Sequence, residues 1–124
     1  MNVPDSSAWI EYFDDGPLAP IFASVLEEFA AIIVPAITIY EVHKWMLLKF
    51  GEEGALKARA MMLRGNIIQL DPLLPLDASR LSIKYKLPMA DAIIYATTLA
   101  NAAKVWTTDA HFNGFPNVQF LEKK

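Results

Sequence analysis

The sequence contains no cysteine, which excludes disulfides and thiolate metal sites and fits a reducing, cytoplasmic setting. Long hydrophobic runs are also lacking. Phe29 to Tyr40 is interrupted by Pro35 and stops at Glu41, and Ala92 to Ala103 is of similar length. A membrane-spanning helix needs about 20 apolar residues, so no membrane segment is expected. No basic region followed by an apolar stretch opens the chain, which argues against a signal peptide. Internal repeats, low-complexity tracts and linker-like stretches are missing as well. Basic residues are absent before Lys44, whereas Asp5, Glu11, Asp14, Asp15, Glu27, Glu28 and Glu41 all precede it. With a net charge of −3, the chain is not built to hold nucleic acid by overall charge.

What remains is an apolar chain. Its 124 residues suit a single soluble domain spanning 1–124 with a sizeable core. Hydrophobic residues make up 54% and the mean hydropathy is +0.26. That surplus fits either a well-filled core or an apolar surface covered by a partner or a second copy.

Short apolar runs alternate with amphipathic stretches. Strands are expected at Met1 to Asp5, Ile32 to Val34, Ile67 to Leu70, Val105 to Thr107 and Val118 to Leu121. Helices are expected over Ala8 to Phe13, Leu18 to Phe29, Thr38 to Phe50, Glu52 to Leu63, Asp77 to Tyr85 and Met89 to Ala102, with Gly51 and Gly65 as stops and one helical turn at Asp109 to Phe112. The alternation calls for an α/β fold: a mainly parallel sheet of about five strands with helices on both faces, joined by right-handed crossovers. In such sheets the ligand crevice lies beyond the carboxyl ends of the strands.

Four acids fall there. Asp5 closes the first strand, Glu41 lies one turn into the helix after the second, Asp91 opens the long helix before Val105, and Asp109 follows that strand. Each has an ordinary explanation on its own. Thr38 and Glu41 have capping-box spacing. Asp5 and Asp109 could be N-caps, and Asp91 could favour a helix N-terminus through the dipole. Taken together, four carboxylates on one rim repel one another unless a cation lies between them or some keep their protons. An all-oxygen set suits a hard ion such as Mg²⁺ or Mn²⁺. Zinc is a poorer match, because only His43 and His111 could supply nitrogen.

The segments Val3-Pro-Asp5-Ser-Ser7, Thr38-Ile-Tyr-Glu41, Pro88-Met-Ala-Asp91-Ala and Trp106-Thr-Thr-Asp109-Ala-His-Phe112 resemble the four acidic motifs of the PIN-domain ribonucleases. In length, order and spacing the chain is most similar to the VapC toxins of toxin–antitoxin pairs, over nearly its whole extent. The tract from Leu87 to Thr97, followed by Val105 to Asp109, is the most specific part. The resemblance implies a metal-dependent endoribonuclease in which Asp5, Glu41, Asp91 and Asp109 hold Mg²⁺ or Mn²⁺, supported by Ser7 and Thr107. It also implies an RNA substrate, a cognate antitoxin and a homodimer.

The reaction expected is phosphodiester hydrolysis by a metal-activated water, leaving 5′-phosphate and 3′-hydroxyl ends. His43 and His111 are candidates for proton transfer or phosphate contact, and Lys84, Lys86 and Lys104 for phosphate contact, although solvated surface positions explain all five as well. Trp45, Met46, Leu47, Met61 and Met62 are the first candidates for a covered apolar surface, with core packing as the ordinary explanation. Pro4 departs from the family's usual aliphatic residue, and proline sits poorly inside a central strand. Two other classes stay open: a non-catalytic PIN module that binds protein or RNA, and a phospho-acceptor domain using Asp5. The second lacks the Asp-x-Asp pattern, since Ser7 holds the second position.

Overall fold

The computed structural model describes residues 1–123. In chain order the elements are β1 (Asn2–Pro4), α1 (Ser6–Phe13), α2 (Ala19–Leu26), β2 (Ile33–Pro35), α3 (Ala36–Met62), β3 (Asn66–Ile68), α4 (Leu74–Tyr85), α5 (Met89–Ala100), β4 (Lys104–Thr107) and β5 (Val118–Phe120). Short 3-10 turns occupy Phe29–Ala31 and Ala110–Phe112. The expected α/β architecture is present. Strand pairing is parallel throughout, β1 with β4, β4 with β5, and β2 with β3. One parallel bridge, Asn2 to Ile32, joins the two groups. The spatial order is therefore β3-β2-β1-β4-β5.

Pro4 explains why that central junction is so short. The amide of Asp5 donates to the Trp106 carbonyl and Lys104 donates to the Met1 carbonyl. Residues 1, 3 and 5 thus present their backbone polar groups to β4, while residues 2 and 4 face β2. Pro4 has no N–H to give β2, so pairing there stops at the single bridge made by Asn2.

Alternate strand residues enter opposite cores. Ile32, Val34 and Trp106 pack with Trp9, Phe22, Leu26, Val42 and Met62 under α1, α2 and α3. Val3, Ile33 and Val105 pack with Ile94, Tyr95 and Phe112 under α4 and α5. Fully burying each large apolar side chain is worth roughly 1.5–3 kcal/mol. Both faces are covered, as uniformly apolar parallel strands require.

The chain departs from the sequence expectations in a few places. The helix expected to run to Phe29 ends at Leu26. The expected break at Gly51 is present: its φ of 75° and ψ of −171° lie outside the helical region and divide α3 into two helical segments. Helix α4 begins at Leu74, three residues before the expected Asp77, with Pro75 in its first turn. Met46 and Met62 are core residues, and Trp45, Leu47 and Met61 pack partly buried against that core. None of the five forms an open apolar surface. Exposed apolar side chains occur both along α3 (Tyr40, Leu48, Phe50, Leu56) and around α4 (Leu70, Leu73, Leu76, Ile83, Met89). Among the described residues, no helix is long and apolar enough to cross a membrane.

Candidate metal centre

The chain runs outward from β1 through β2 to β3, then crosses back to place β4 and β5 on the other side of β1. Strand direction from the centre therefore switches between β1 and β4, where α/β sheets open a ligand crevice at their carboxyl ends. Asp5 immediately follows β1, and Thr107 ends β4 with Asp109 two residues on.

Asp5 is 2% exposed. Its Oδ1 accepts the Ser7 hydroxyl at 2.6 Å and the Ala8 amide at 3.0 Å, which makes it the N-cap of α1. Its Oδ2 accepts the Thr107 hydroxyl at 2.5 Å. Each hydroxyl has a second duty. Ser7 Oγ accepts the Thr108 amide at 2.9 Å, and Thr107 Oγ1 accepts the Asp109 amide at 2.8 Å. Two side chains thus lock the end of β1 to the loop after β4. Burial pushes the Asp5 carboxyl up to about 7, opposed by the Ser7, Thr107 and Ala8 hydrogen bonds and assisted by the Asp91 charge.

Asp91 projects from the first turn of α5. Burial comes first in raising its carboxyl to about 6; the Asp109 charge adds to it, the His111 contact opposes it, and the Glu41 charge contributes. Asp109 accepts the His111 amide at 2.9 Å, capping the 3-10 turn. The His111 Nδ1 atom lies 3.2 Å from Asp109 Oδ1 and 3.5 Å from Asp91 Oδ2. Ligand atoms of Asp91, Asp109 and His111 all fall within 4.8 Å of one another.

Glu41 accepts the Ser6 hydroxyl at 2.5 Å. The capping-box reading of Thr38 and Glu41 fails: α3 starts at Ala36 behind Pro35, and the buried Thr38 Oγ1 has no protein partner. Asp5 and Asp109 are both caps, and of the two Asp109 also belongs to the group formed with Asp91 and His111.

The structure thus brings Asp91, Asp109 and His111 into one group. Asp5 and Glu41 are not members of that group; the Asp91 charge bears on Asp5 and the Glu41 charge on Asp91, and Glu41 is held by Ser6. The contact of Ser6 was not anticipated; its only sequence signal was a second serine after Asp5. His43 lies elsewhere, in a shallow groove of about 380 Å³ with Glu52, Glu53, Leu56 and Arg59. Lys84 stacks over Tyr85 at 5.0 Å. Among the described residues, no lysine or arginine pairs with Asp91 or Asp109.

Two outcomes follow from this geometry. Thr107→Val keeps the shape of a fully buried side chain but strands Asp5 Oδ2 and the Asp109 amide. Urea denaturation at pH 8 is expected to show a loss of about 1–3 kcal/mol, shrinking at pH 5, where Asp5 holds its own proton. His43→Ala, remote from the acids, is expected to leave any metal-dependent turnover within about twofold of wild type, because surface changes away from a site cost little.

At the switch point of this parallel α/β sheet, Asp91, Asp109 and His111 form a group that could hold a metal ion. The sequence pattern of the PIN domain matches residues 3–118, and the chain belongs to the PIN-domain family. Its fold is similar to that of a toxin–antitoxin complex chain from Klebsiella pneumoniae, with a TM-score of 0.81, 25% identity and 96% of each chain covered. VapC20 of Mycobacterium tuberculosis, a sarcin–ricin-loop-cleaving toxin, gives a TM-score of 0.80 at 13% identity, covering 95% of this chain and 97% of that one. A chain of the Rickettsia felis VapBC2 complex, bound to a promoter DNA fragment, gives 0.74 at 15% identity with 97% and 96% covered. No curated protein sequence matches the chain.

Proposed function

We propose that this chain is a metal-dependent endoribonuclease, the toxin of a toxin–antitoxin pair, with Asp5, Glu41, Asp91 and Asp109 as its acidic centre. The observation that carries the reading is the convergence of Asp91 and Asp109 at the switch point with, among the described residues, no lysine or arginine paired to either. Negative charge gathered there without a basic counter-charge destabilises the ionised acids, and a divalent cation relieves that cost. The donor set fits Mg²⁺ or Mn²⁺, which favour carboxylate oxygen and retain water ligands.

When bound, such an ion supplies positive charge for the scissile phosphate and acidifies a water. Asp91 and Asp109 offer it carboxylate oxygens directly. Asp5 adds negative charge from beneath, and its Oδ2, with one hydrogen bond accepted, keeps a lone pair. Glu41, anchored by Ser6, adds its charge to that felt by Asp91. Ser7 and Thr107 are positioning residues: they fix the Asp5 carboxylate and, through the Asp109 amide, the loop after β4. In-line displacement at phosphorus leaves 5′-phosphate and 3′-hydroxyl ends.

The relatives support the biological setting: one is a toxin–antitoxin complex and another cleaves the sarcin–ricin loop. A cognate antitoxin is therefore the proposed partner, with a homodimer as the proposed assembly and the exposed apolar residues around α4 as its first candidate surface. The phospho-acceptor alternative is disfavoured by the burial of Asp5 and by its three hydrogen bonds.

Incubating purified protein with total RNA and Mg²⁺ or Mn²⁺ tests the reading. Discrete cuts abolished by EDTA, with 5′-phosphate ends, are expected. A folded protein that binds the metal yet cuts nothing would favour a binding module.

A further inference from the structure

We propose that His111 is a nitrogen ligand of this same metal centre and that it biases the centre toward a first-row transition ion over Mg²⁺. The proposal rests on the metal-centre reading above and adds to the four acids a donor of different chemistry.

Three observations carry it. The His111 Nδ1 atom approaches two carboxylate oxygens at once, 3.2 Å from Asp109 Oδ1 and 3.5 Å from Asp91 Oδ2. Adjacent ligands of an octahedral ion with bonds of about 2.1 Å lie roughly 3 Å apart, so these spacings are close to those of neighbouring ligands around one ion. The ring is also set in place by its own backbone, because the His111 amide is bonded to Asp109 Oδ1 at 2.9 Å. Finally, the imidazole side chain is 59% exposed, and a hydrogen bond to Asp91 holds its Nδ1 toward the acids. A cation bound there would take up the Nδ1 lone pair with the ring hydrogen on Nε2, bonds to the ion replacing the hydrogen-bond contact between His111 and the acids.

Imidazole nitrogen is a softer donor than carboxylate. Mg²⁺ gains little from it, whereas first-row transition ions gain more. A centre of two carboxylates and one imidazole therefore separates Mn²⁺ from Mg²⁺ more strongly than carboxylates alone. The acid positions that define the resemblance do not predict this donor.

Mn²⁺ and Mg²⁺ titrations of wild type, His111→Ala, His43→Ala and Asp91→Asn, with pulsed electron paramagnetic resonance of the Mn²⁺ complexes, test the assignment. Wild type and His43→Ala are expected to show a directly bound ¹⁴N coupling that His111→Ala lacks. His111→Ala is expected to bind Mn²⁺ about 10-fold more weakly and Mg²⁺ within about threefold of wild type. Thermal melts of the apo variants confirm folding. Mn²⁺ bound to wild type without nitrogen coupling, or an equal loss of both ions in His111→Ala, overturns the assignment and leaves the carboxylate centre standing. Wild type that binds neither ion, or Asp91→Asn that binds Mn²⁺ as tightly as wild type, overturns the centre itself.

Discussion

Asp91→Asn is expected to lower metal-dependent RNA cleavage by at least about 10²–10³-fold, the scale seen when one preorganised electrostatic contact is removed from a reacting centre. Its amide keeps the size of the carboxyl at a side chain that is 18% exposed but removes the charge central to the group. Asp91 is the acid whose carboxyl feels both the Asp109 and the Glu41 charges and which in turn acts on Asp5. It is therefore the hub of the repulsion that a cation would relieve. The same substitution should make the metal-free protein more stable at pH 7.5, by on the order of 1–2 kcal/mol after allowance for partial solvent screening. The two effects run in opposite directions, so unfolding cannot mimic the result. Cleavage measured under single-turnover conditions beside a thermal melt reads both. Activity within about threefold of wild type would remove Asp91 from the centre.

How far the sequence could reveal this arrangement depended on which signals were local. Short β-branched runs separated by amphipathic stretches were enough to place parallel strands, and from them Asp5 and Asp109 at strand ends. Gly51 was legible as a helix break because only glycine takes its φ of 75° without strain. Proline was the poorer guide. Pro35 closes β2 opposite Ile68 instead of following the strand, since a strand end can spare the missing N–H. Pro75 sits inside the first turn of α4, where its missing donor costs nothing. The Asp71 carboxylate, accepting the Leu73 and Leu74 amides at 2.8 Å each, is the signal that starts that helix early.

Tertiary placement was less accessible still. Thr38 and Glu41 have the spacing of a local cap, yet Glu41 answers to Ser6, 35 residues away. Nothing local distinguishes those two outcomes. His111 was visible only as a residue near Asp109. Its approach to Asp91 exists because α5 and the loop after β4 meet across the crevice. Met46 and Met62 were candidates for a covered surface only because the chain is rich in apolar residues, and they pack in the core, the ordinary explanation for both.

The metal-free protein is expected to lose stability as pH rises from about 4 to about 7, and a divalent ion is expected to restore it. In the unfolded chain Asp5 ionises near its ordinary 3.8, whereas burial in the folded protein holds the proton until about 7. Between those values the folded state carries more protons than the unfolded state, so each rise in pH favours unfolding. Below about 4 the contribution is fully present, and above about 7 both states are ionised and nothing further is lost. If the whole displacement is realised, the Asp5 contribution is on the order of 4 kcal/mol. Asp91, held near 6, acts in the same direction over a narrower range. Millimolar Mn²⁺ favours the ionised acids and binds only the folded arrangement. It should therefore flatten the profile and raise the melting temperature most at pH 7–8, releasing protons when it is added near pH 6. Urea unfolding with and without Mn²⁺ from pH 4.5 to 8 gives the comparison. Asp5→Asn, which has no proton to hold, is expected to flatten the metal-free curve by itself. A metal-free profile that rises toward pH 7, or one that Asp5→Asn leaves unchanged, would mean that the cost of the buried Asp5 charge is already met by Ser7, Thr107 and Ala8.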